Sequence, residues 1–135
     1  MTEVVLDASV VLKWFGFEGE AKSAEARALR KRYEQGDLVV TVPSLLFLEL
    51  LNVAGRRWSW DEGSLQDLAA ALDDLAFDVG EAELTAVAAW VARGLTAYDA
   101  AYVALAEGRR VGLITDDGRI LEVAGAVASP LAAHN

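Results

Sequence analysis

The chain has 135 residues, 54% of them hydrophobic, which fits one domain (residues 1–135) with a single core and argues against disorder. A net charge of −9 argues against a general nucleic-acid coat protein, but not against a nucleic-acid enzyme in which metal ions bridge acidic protein and acidic substrate. The absence of cysteine excludes disulfides, thiolate metal sites and cysteine catalysis, and a single histidine, His134, argues against a serine–histidine triad or a histidine zinc site.

Strands and helices alternate along the sequence. Apolar runs bounded by turn residues predict strands at residues 4–6, 38–42, 77–79 and 111–115. Helical spacing predicts helices at 9–15, 20–35, 43–57, 81–93, 97–107 and 119–124, and one more that starts at Ser59 or Asp61. This alternation predicts an α/β fold, a three-layer α/β/α domain with a central, mostly parallel sheet.

Local signals mark several boundaries and one core-facing stripe. Gly36 suits the left-handed position just past a helix, Gly94 ends the helix predicted at 81–93, and Pro43 suits a first helical turn. Helical spacing predicts that one side of the fifth helix faces the core through Leu84, Val87, Ala88 and Val91.

The sequence has no pattern typical of a membrane protein or a signal peptide. The longest strongly apolar stretch, residues 38–48, is roughly half of the ~20 residues that a membrane helix needs, and Pro43 interrupts it. The N-terminus lacks the basic and then apolar layout of a signal peptide. We therefore expect a soluble, cytoplasmic protein that has no membrane partner.

Four carboxylates lie in or next to apolar segments: Asp7, Glu49, Asp99 and Asp117. A buried, unpaired carboxylate is costly, so such a group is usually neutralised, paired or bound to a metal. Because sites in open parallel sheets form at the carboxyl ends of strands, we expect Asp7 and Asp117 to lie at that edge. The helices that carry Glu49 and Asp99 need only lie over the same edge to complete an acidic cage for divalent cations.

Asp7 and Glu49 each have a structural alternative. Asp7 could be the N-cap of the first helix, although Ser9 could cap it equally well and leave Asp7 to serve as a ligand. Glu49 could lie on a partly open polar stripe with Asn52 and Arg56. These residues alone leave both interpretations open.

Asp99 and the paired aspartates also have structural alternatives. Asp99 follows Thr96 at the spacing of a capping box, and Asp116, Asp117 and Gly118 are typical of a turn. Because adjacent residues after a strand point to opposite sides, we expect only one of the two aspartates to enter the cleft. We choose Asp117 and keep Asp116 as a fifth, outer metal contributor.

Four segments, in this order, resemble PIN-domain proteins of the VapC toxin type. They are VVLDASVVLKWF (4–15), PSLLFLELLNV (43–53), LTAYDAAYVALA (95–106) and LITDDGRIL (113–121), and they span nearly the whole chain. Matched by position, the acidic metal-binding residues of that family correspond to Asp7, Glu49, Asp99 and Asp117. The sequence departs from the family pattern in the loop at 16–19 and in the doubled aspartate at 116–117.

The resemblance also implies chemistry and partners. It implies a Mg²⁺-dependent ribonuclease, with Mn²⁺ as a substitute, that acts as the toxin of a type II toxin–antitoxin pair; Ser9 and Asn52 match polar positions that line the pocket. Hard oxygen ligands suit both ions. It further implies a homodimer and a small antitoxin protein that inserts a segment near the acidic cleft. We expect this segment to use an apolar groove involving Trp14, Phe15, Trp58 or Trp60.

Two functions without catalysis are the alternatives. A receiver-like signalling module would bind Mg²⁺ without cutting anything, but it would need paired acids after the first strand and a lysine after the last. This chain has one acid after the first strand and no lysine after the last. A PIN fold could also serve only as a partner-binding scaffold, against which the intact acids argue.

Overall fold

The computed structural model describes residues 2–15 and 23–134. Its strands are β1 (Thr2–Leu6), β2 (Leu38–Val42), β3 (Asp78–Val79), β4 (Gly112–Ile114) and β5 (Ala128–Ser129). Its helices are α1 (Ala8–Trp14), α2 (Ser23–Glu34), α3 (Leu45–Asn52), α4 (Glu62–Leu75), α5 (Leu84–Ala92), α6 (Ala97–Arg109) and α7 (Gly118–Val123). A π-helical turn (Val53–Arg57) follows α3, and a 3₁₀ helix (Leu131–His134) follows β5. The loop at 16–19 and the start predicted for the second helix at residue 20 lie outside the described residues.

The five strands form one parallel sheet in the order β3-β2-β1-β4-β5. Three consecutive residues of β1, Val4, Val5 and Leu6, are buried, which requires that both faces of the sheet are covered. Helices provide that cover, and the predicted three-layer α/β/α architecture is confirmed.

The chain changes direction across the sheet at β1. It runs from β1 through β2 to β3 on one side, and β4 and β5 then extend the sheet on the other. Open parallel sheets form their sites at the carboxyl ends of the strands beside such a switch point. The β1–β4 register pairs Leu6 with Ile114, so the residues that follow, Asp7 and Thr115, leave the sheet side by side.

Helix boundaries follow the predicted signals in part. Gly36 (φ 82°) has the predicted left-handed conformation, and Gly94 (φ 113°), which follows the predicted helix end, also has a positive φ. Ala76 (φ 53°) and Arg110 (φ 59°) occupy the same conformation at the C-caps of α4 and α6. The sequence does not predict these two, because nothing in either side chain favours a positive φ.

Three element predictions need correction. The helix predicted at 43–57 is α3 plus the π-helical turn, and it begins at Leu45, so Pro43 precedes the first turn. Asp61 caps α4 by accepting a hydrogen bond from the Ser64 amide at 2.8 Å, which excludes the start at Ser59. β5 and the 3₁₀ helix were not predicted, since a two-residue strand carries no recognisable alternation.

Two predictions about apolar residues are wrong. Trp14 is 5% exposed and packs against Tyr33 and Phe77, with ring centroids 6.1 and 5.8 Å apart, so it belongs to the core and not to an open groove. The stripe predicted on α5 is largely exposed, with Leu84 at 82%, because this helix packs on α6 through Trp90 instead.

Within the described residues, no helix has both the length and the apolarity to cross a membrane.

Candidate acidic site

Asp7 is the most deeply buried acid, with only 3% of its surface exposed. It caps α1, since its Oδ1 accepts the Val10 amide at 3.3 Å and the Ser9 hydroxyl at 2.6 Å. Ser9 lies inside α1, so the suggestion that it could cap this helix is wrong. Burial raises the pKa of Asp7 to about 6, against the hydrogen bonds from Ser9, Thr115 and Val10, and the nearby charge of Asp117 adds to the rise.

Thr115 is a site residue that the sequence analysis missed. It is fully buried at the end of β4, and its hydroxyl donates to Oδ2 of Asp7 while accepting the Asp117 amide at 3.0 Å. One threonine therefore joins the two acids that follow β1 and β4. A polar residue closing an otherwise apolar strand was the available signal.

Glu49 lies on α3 and is partly buried. Its Oε1 accepts a hydrogen bond of 2.5 Å from the hydroxyl of Tyr102, which is 1% exposed on α6. Burial raises the pKa of Glu49; the Tyr102 hydrogen bond opposes this rise and the charge of Asp99 adds to it. Burial and the bond to Glu49 also raise the pKa of Tyr102. Tyr102 was not predicted, although it follows Asp99 by three residues and so lies on the same side of the helix.

Asp99 and Asp117 each lie at the start of a helix. Asp99 is in the first turn of α6, and its amide donates to the Thr96 hydroxyl at 3.1 Å, as the capping-box spacing suggests. Asp117 is the N-cap of α7 and accepts the Ile120 amide at 3.0 Å. Burial raises the pKa of Asp99, and the charge of Asp117 raises it further, so the two carboxylates are close enough to repel.

These interactions link all four acids in one series: Asp7 with Asp117, Asp117 with Asp99, and Asp99 with Glu49. None of the four forms an ion pair within the described part of the chain. The fold therefore collects like charges at the carboxyl edge of β1 and β4, where no described residue forms an ion pair with them.

Asp116 makes contacts of its own with Lys13 and Leu131. Its Oδ2 lies 2.6 Å from Nζ of Lys13, and its Oδ1 accepts the Leu131 amide at 3.0 Å. Asn52, the other polar position expected in the pocket, is exposed near the end of α3.

The donor set fits a hard divalent cation, because four carboxylates that form no ion pair with any described residue supply oxygen ligands and charge to be balanced. Their present arrangement is not a coordination shell: among residues 2–15 and 23–134, no group of three or more acidic, histidine or cysteine side chains lies close enough to hold an ion. That these four acids bind metal stays a prediction.

Comparison with known proteins agrees with the fold. The crystal structure of PAE2754 from Pyrobaculum aerophilum is similar with a TM-score of 0.70 and 22% identity, over 98% of this chain and 91% of that chain, which shows a shared fold. No curated protein matches. The model of the PIN domain matches residues 4–126, and the chain belongs to the PIN domain family, whose members are generally Mg²⁺- or Mn²⁺-dependent nucleases.

Proposed function

We propose that this protein is a metal-dependent endoribonuclease that acts as the toxin of a toxin–antitoxin pair. The observation that carries the proposal is the series of four carboxylates at the carboxyl edge of β1 and β4, in which each acid lies close enough to the next to repel it. Membership of the PIN domain family supports nuclease chemistry. The choice of RNA and the toxin role rest on the resemblance of the four sequence segments to VapC-type toxins.

In this proposal, Asp7, Glu49, Asp99 and Asp117 hold one or two Mg²⁺ or Mn²⁺ ions. The bound metal would polarise the scissile phosphate and activate water. Asp7, fixed by Ser9 and Thr115, would anchor the site at the sheet, and the carboxylates on α3 and α6 would supply further ligands. Tyr102 would hold Glu49 in place through Oε1 and leave Oε2 for the cation. One carboxylate of the set would accept the proton of the attacking water.

The antitoxin would dock beside the end of α1. A cavity of about 310 Å³ there has Phe15, Trp60 and Leu68 among its apolar lining and Ser64 and Asp67 at its polar side. The Trp58 and Trp60 rings pack 5.7 Å apart. An apolar segment of a small partner suits such a cavity. The test is to replace Trp58 and Trp60 together and measure antitoxin binding; undiminished affinity would remove this surface from the proposal.

A homodimer would use the exposed apolar side of α5. Leu84 and Val91 are 82% and 41% exposed on it. Antiparallel pairing of two copies of α5 would bring Glu83, at one end, near Arg93 at the other, so the ends have complementary charges. Leu84→Glu should shift the sedimentation of a dimer to that of a monomer, and unchanged sedimentation would exclude this surface.

Mapping the cut sites tests the activity. Purified protein is incubated with a pool of cellular RNAs and Mg²⁺ or Mn²⁺, and the fragments are sequenced, with Asp99→Asn as the matched inactive variant. Discrete cuts that vanish with EDTA and with the variant support the proposal. Metal binding without any cleavage would favour the scaffold alternative; the receiver-like alternative is not favoured, because the chain matches the PIN domain over residues 4–126.

A further inference from the structure

Lys13 and Asp116 form a nearly buried ion pair beside the acidic series. The distance between Nζ and Oδ2 is 2.6 Å, and the two side chains are 10% and 11% exposed. Both charges of such a pair are shielded from water. Removing one partner leaves the other charge buried and uncompensated, which strongly destabilises the protein. The pair joins α1 to the turn after β4 across 103 residues of sequence.

The same turn makes two further contacts that lead to Asp7. The Asp116 amide donates to the Ser9 hydroxyl at 3.0 Å, and that hydroxyl donates to Asp7 Oδ1 at 2.6 Å. Lys13 follows Ser9 by four residues, so both lie on the side of α1 that faces the turn. One segment of α1 thus holds Asp116 through a charge and through a hydroxyl.

The other carboxylate oxygen of Asp116 anchors the end of the described chain. Oδ1 accepts the Leu131 amide at 3.0 Å at the start of the 3₁₀ helix, where Leu131 is 1% exposed. A cation bound by Asp116 would share its carboxylate oxygens with the Lys13 ammonium and the Leu131 amide. Releasing Lys13 alone would leave a buried ammonium without its partner.

We propose that Lys13 and Asp116 are positioning residues that set the turn carrying Thr115 and Asp117, and that Asp116 is not a metal ligand. The inference rests on the proposed function in so far as the four acids hold a cation. The pair keeps Thr115 and Ser9 in place to bind Asp7 from two sides. It also keeps the Lys13 ammonium paired with Asp116 and not with one of the four acids.

The test is a charge-balanced double variant, K13M/D116N, which removes the ion pair and keeps the net charge and an acceptor for Leu131. The matched control is E3Q/R109M, which removes the exposed ion pair between Glu3 and Arg109 (2.6 Å). Mn²⁺ affinity is measured by calorimetry. Because outer-sphere partners of a metal site are typically worth 10–100-fold in affinity, we expect K13M/D116N to bind Mn²⁺ about tenfold more weakly and the control to bind as the wild type does.

Two results would overturn the proposal. A K13M/D116N variant that binds Mn²⁺ like the control assigns the pair a purely structural role. The second result is that K13M binds Mn²⁺ more tightly than the wild type, while D116N loses as much Mn²⁺ affinity as D117N does. Asp116 would then be a metal ligand whose binding is opposed by its ion pair with Lys13.

A second measurement needs no metal. Hydrogen exchange of the Asp116 and Asp117 amides, which donate to the hydroxyls of Ser9 and Thr115, is followed by NMR in EDTA. We expect faster exchange at both amides in K13M/D116N and no change in the control; unchanged exchange contradicts the positioning role. Wild-type protein that binds no Mn²⁺ would defeat the proposed function, and the exchange data would still decide the role of the pair.

Discussion

Replacing Asp7 by asparagine should stabilise the metal-free protein while removing a ligand. The pKa of Asp7 is raised from 3.8 to about 6, mainly by burial. The folded state therefore holds this proton more tightly than the unfolded state, and the associated stability is complete below the unfolded pKa and is lost as pH rises through about 6. A shift of about two units corresponds to a cost of roughly 3 kcal/mol for ionised Asp7 near neutral pH.

Asparagine avoids this cost but weakens some hydrogen bonds. Its Oδ1 can still accept from the Ser9 hydroxyl and the Val10 amide, whereas the Thr115 hydroxyl must turn to face an amide group. The loss of charge-assisted bonding costs about 1–2 kcal/mol. The net gain near neutral pH is therefore about 1–2 kcal/mol, or roughly 3–6 °C in melting temperature for a chain of this size.

The assay is urea and thermal unfolding of wild type and D7N in EDTA at about pH 8 and about pH 4.5. The advantage of D7N should fall by about 2 kcal/mol at the lower pH, where folded Asp7 is already protonated. The pKa values of Glu49 and Asp99 are also raised on folding, and that of Glu3 is lowered. All three groups are present in both proteins, so their contributions to the pH dependence of stability cancel when wild type and D7N are compared. D67N, which removes an exposed carboxylate on α4, is the control and should change stability little. A D7N protein that is less stable near pH 8, or an advantage independent of pH, would refute the reasoning.

Three further outcomes are expected. Tyr102→Phe should lower the free energy of unfolding in urea by about 1.5–3 kcal/mol, because it removes a hydrogen bond to a charged group. It should also raise the Glu49 pKa in an NMR titration. Unchanged stability would contradict this role of Tyr102. Ala76→Gly should stabilise the protein by about 0.5–1 kcal/mol, since Ala76 is the left-handed C-cap of α4. Ala70→Gly, inside the same helix, should destabilise it by about 1 kcal/mol. Equal effects of the two changes in unfolding would contradict this role of Ala76. Mn²⁺ at about a hundred times its dissociation constant should stabilise the wild type by about 2.7 kcal/mol, an effect that EDTA reverses; a melting temperature independent of Mn²⁺ would argue against any site.

Local patterns were enough to predict the fold. The second strand has the predicted bounds, and the buried run in β1 marks a sheet covered on both faces. The general rule for open parallel sheets predicts that Asp7 and Asp117 lie at one edge of the sheet. The structure places both residues there. Their role as ligands remains a prediction.

The contacts that define the site were beyond the sequence, because each depends on packing between distant segments. Nothing local pairs Lys13 with Asp116, and nothing local brings the Tyr102 hydroxyl to Glu49. The sequence predicts that Trp14 lines a groove, because its contact with Tyr33 appears only in the folded structure. Periodicity reveals which residues share one side of a helix, but not which side meets the rest of the protein.

The central claim is that the four acids form one cation site, and a calorimetric Mn²⁺ titration of the wild type and of D7N, E49Q, D99N and D117N tests it most directly. Each variant keeps the size of the side chain and removes one negative charge. The account predicts that the wild type binds Mn²⁺ and that every one of the four variants binds it much more weakly while still melting cooperatively. Wild-type affinity retained in all four variants, or no binding by the wild type, would contradict it.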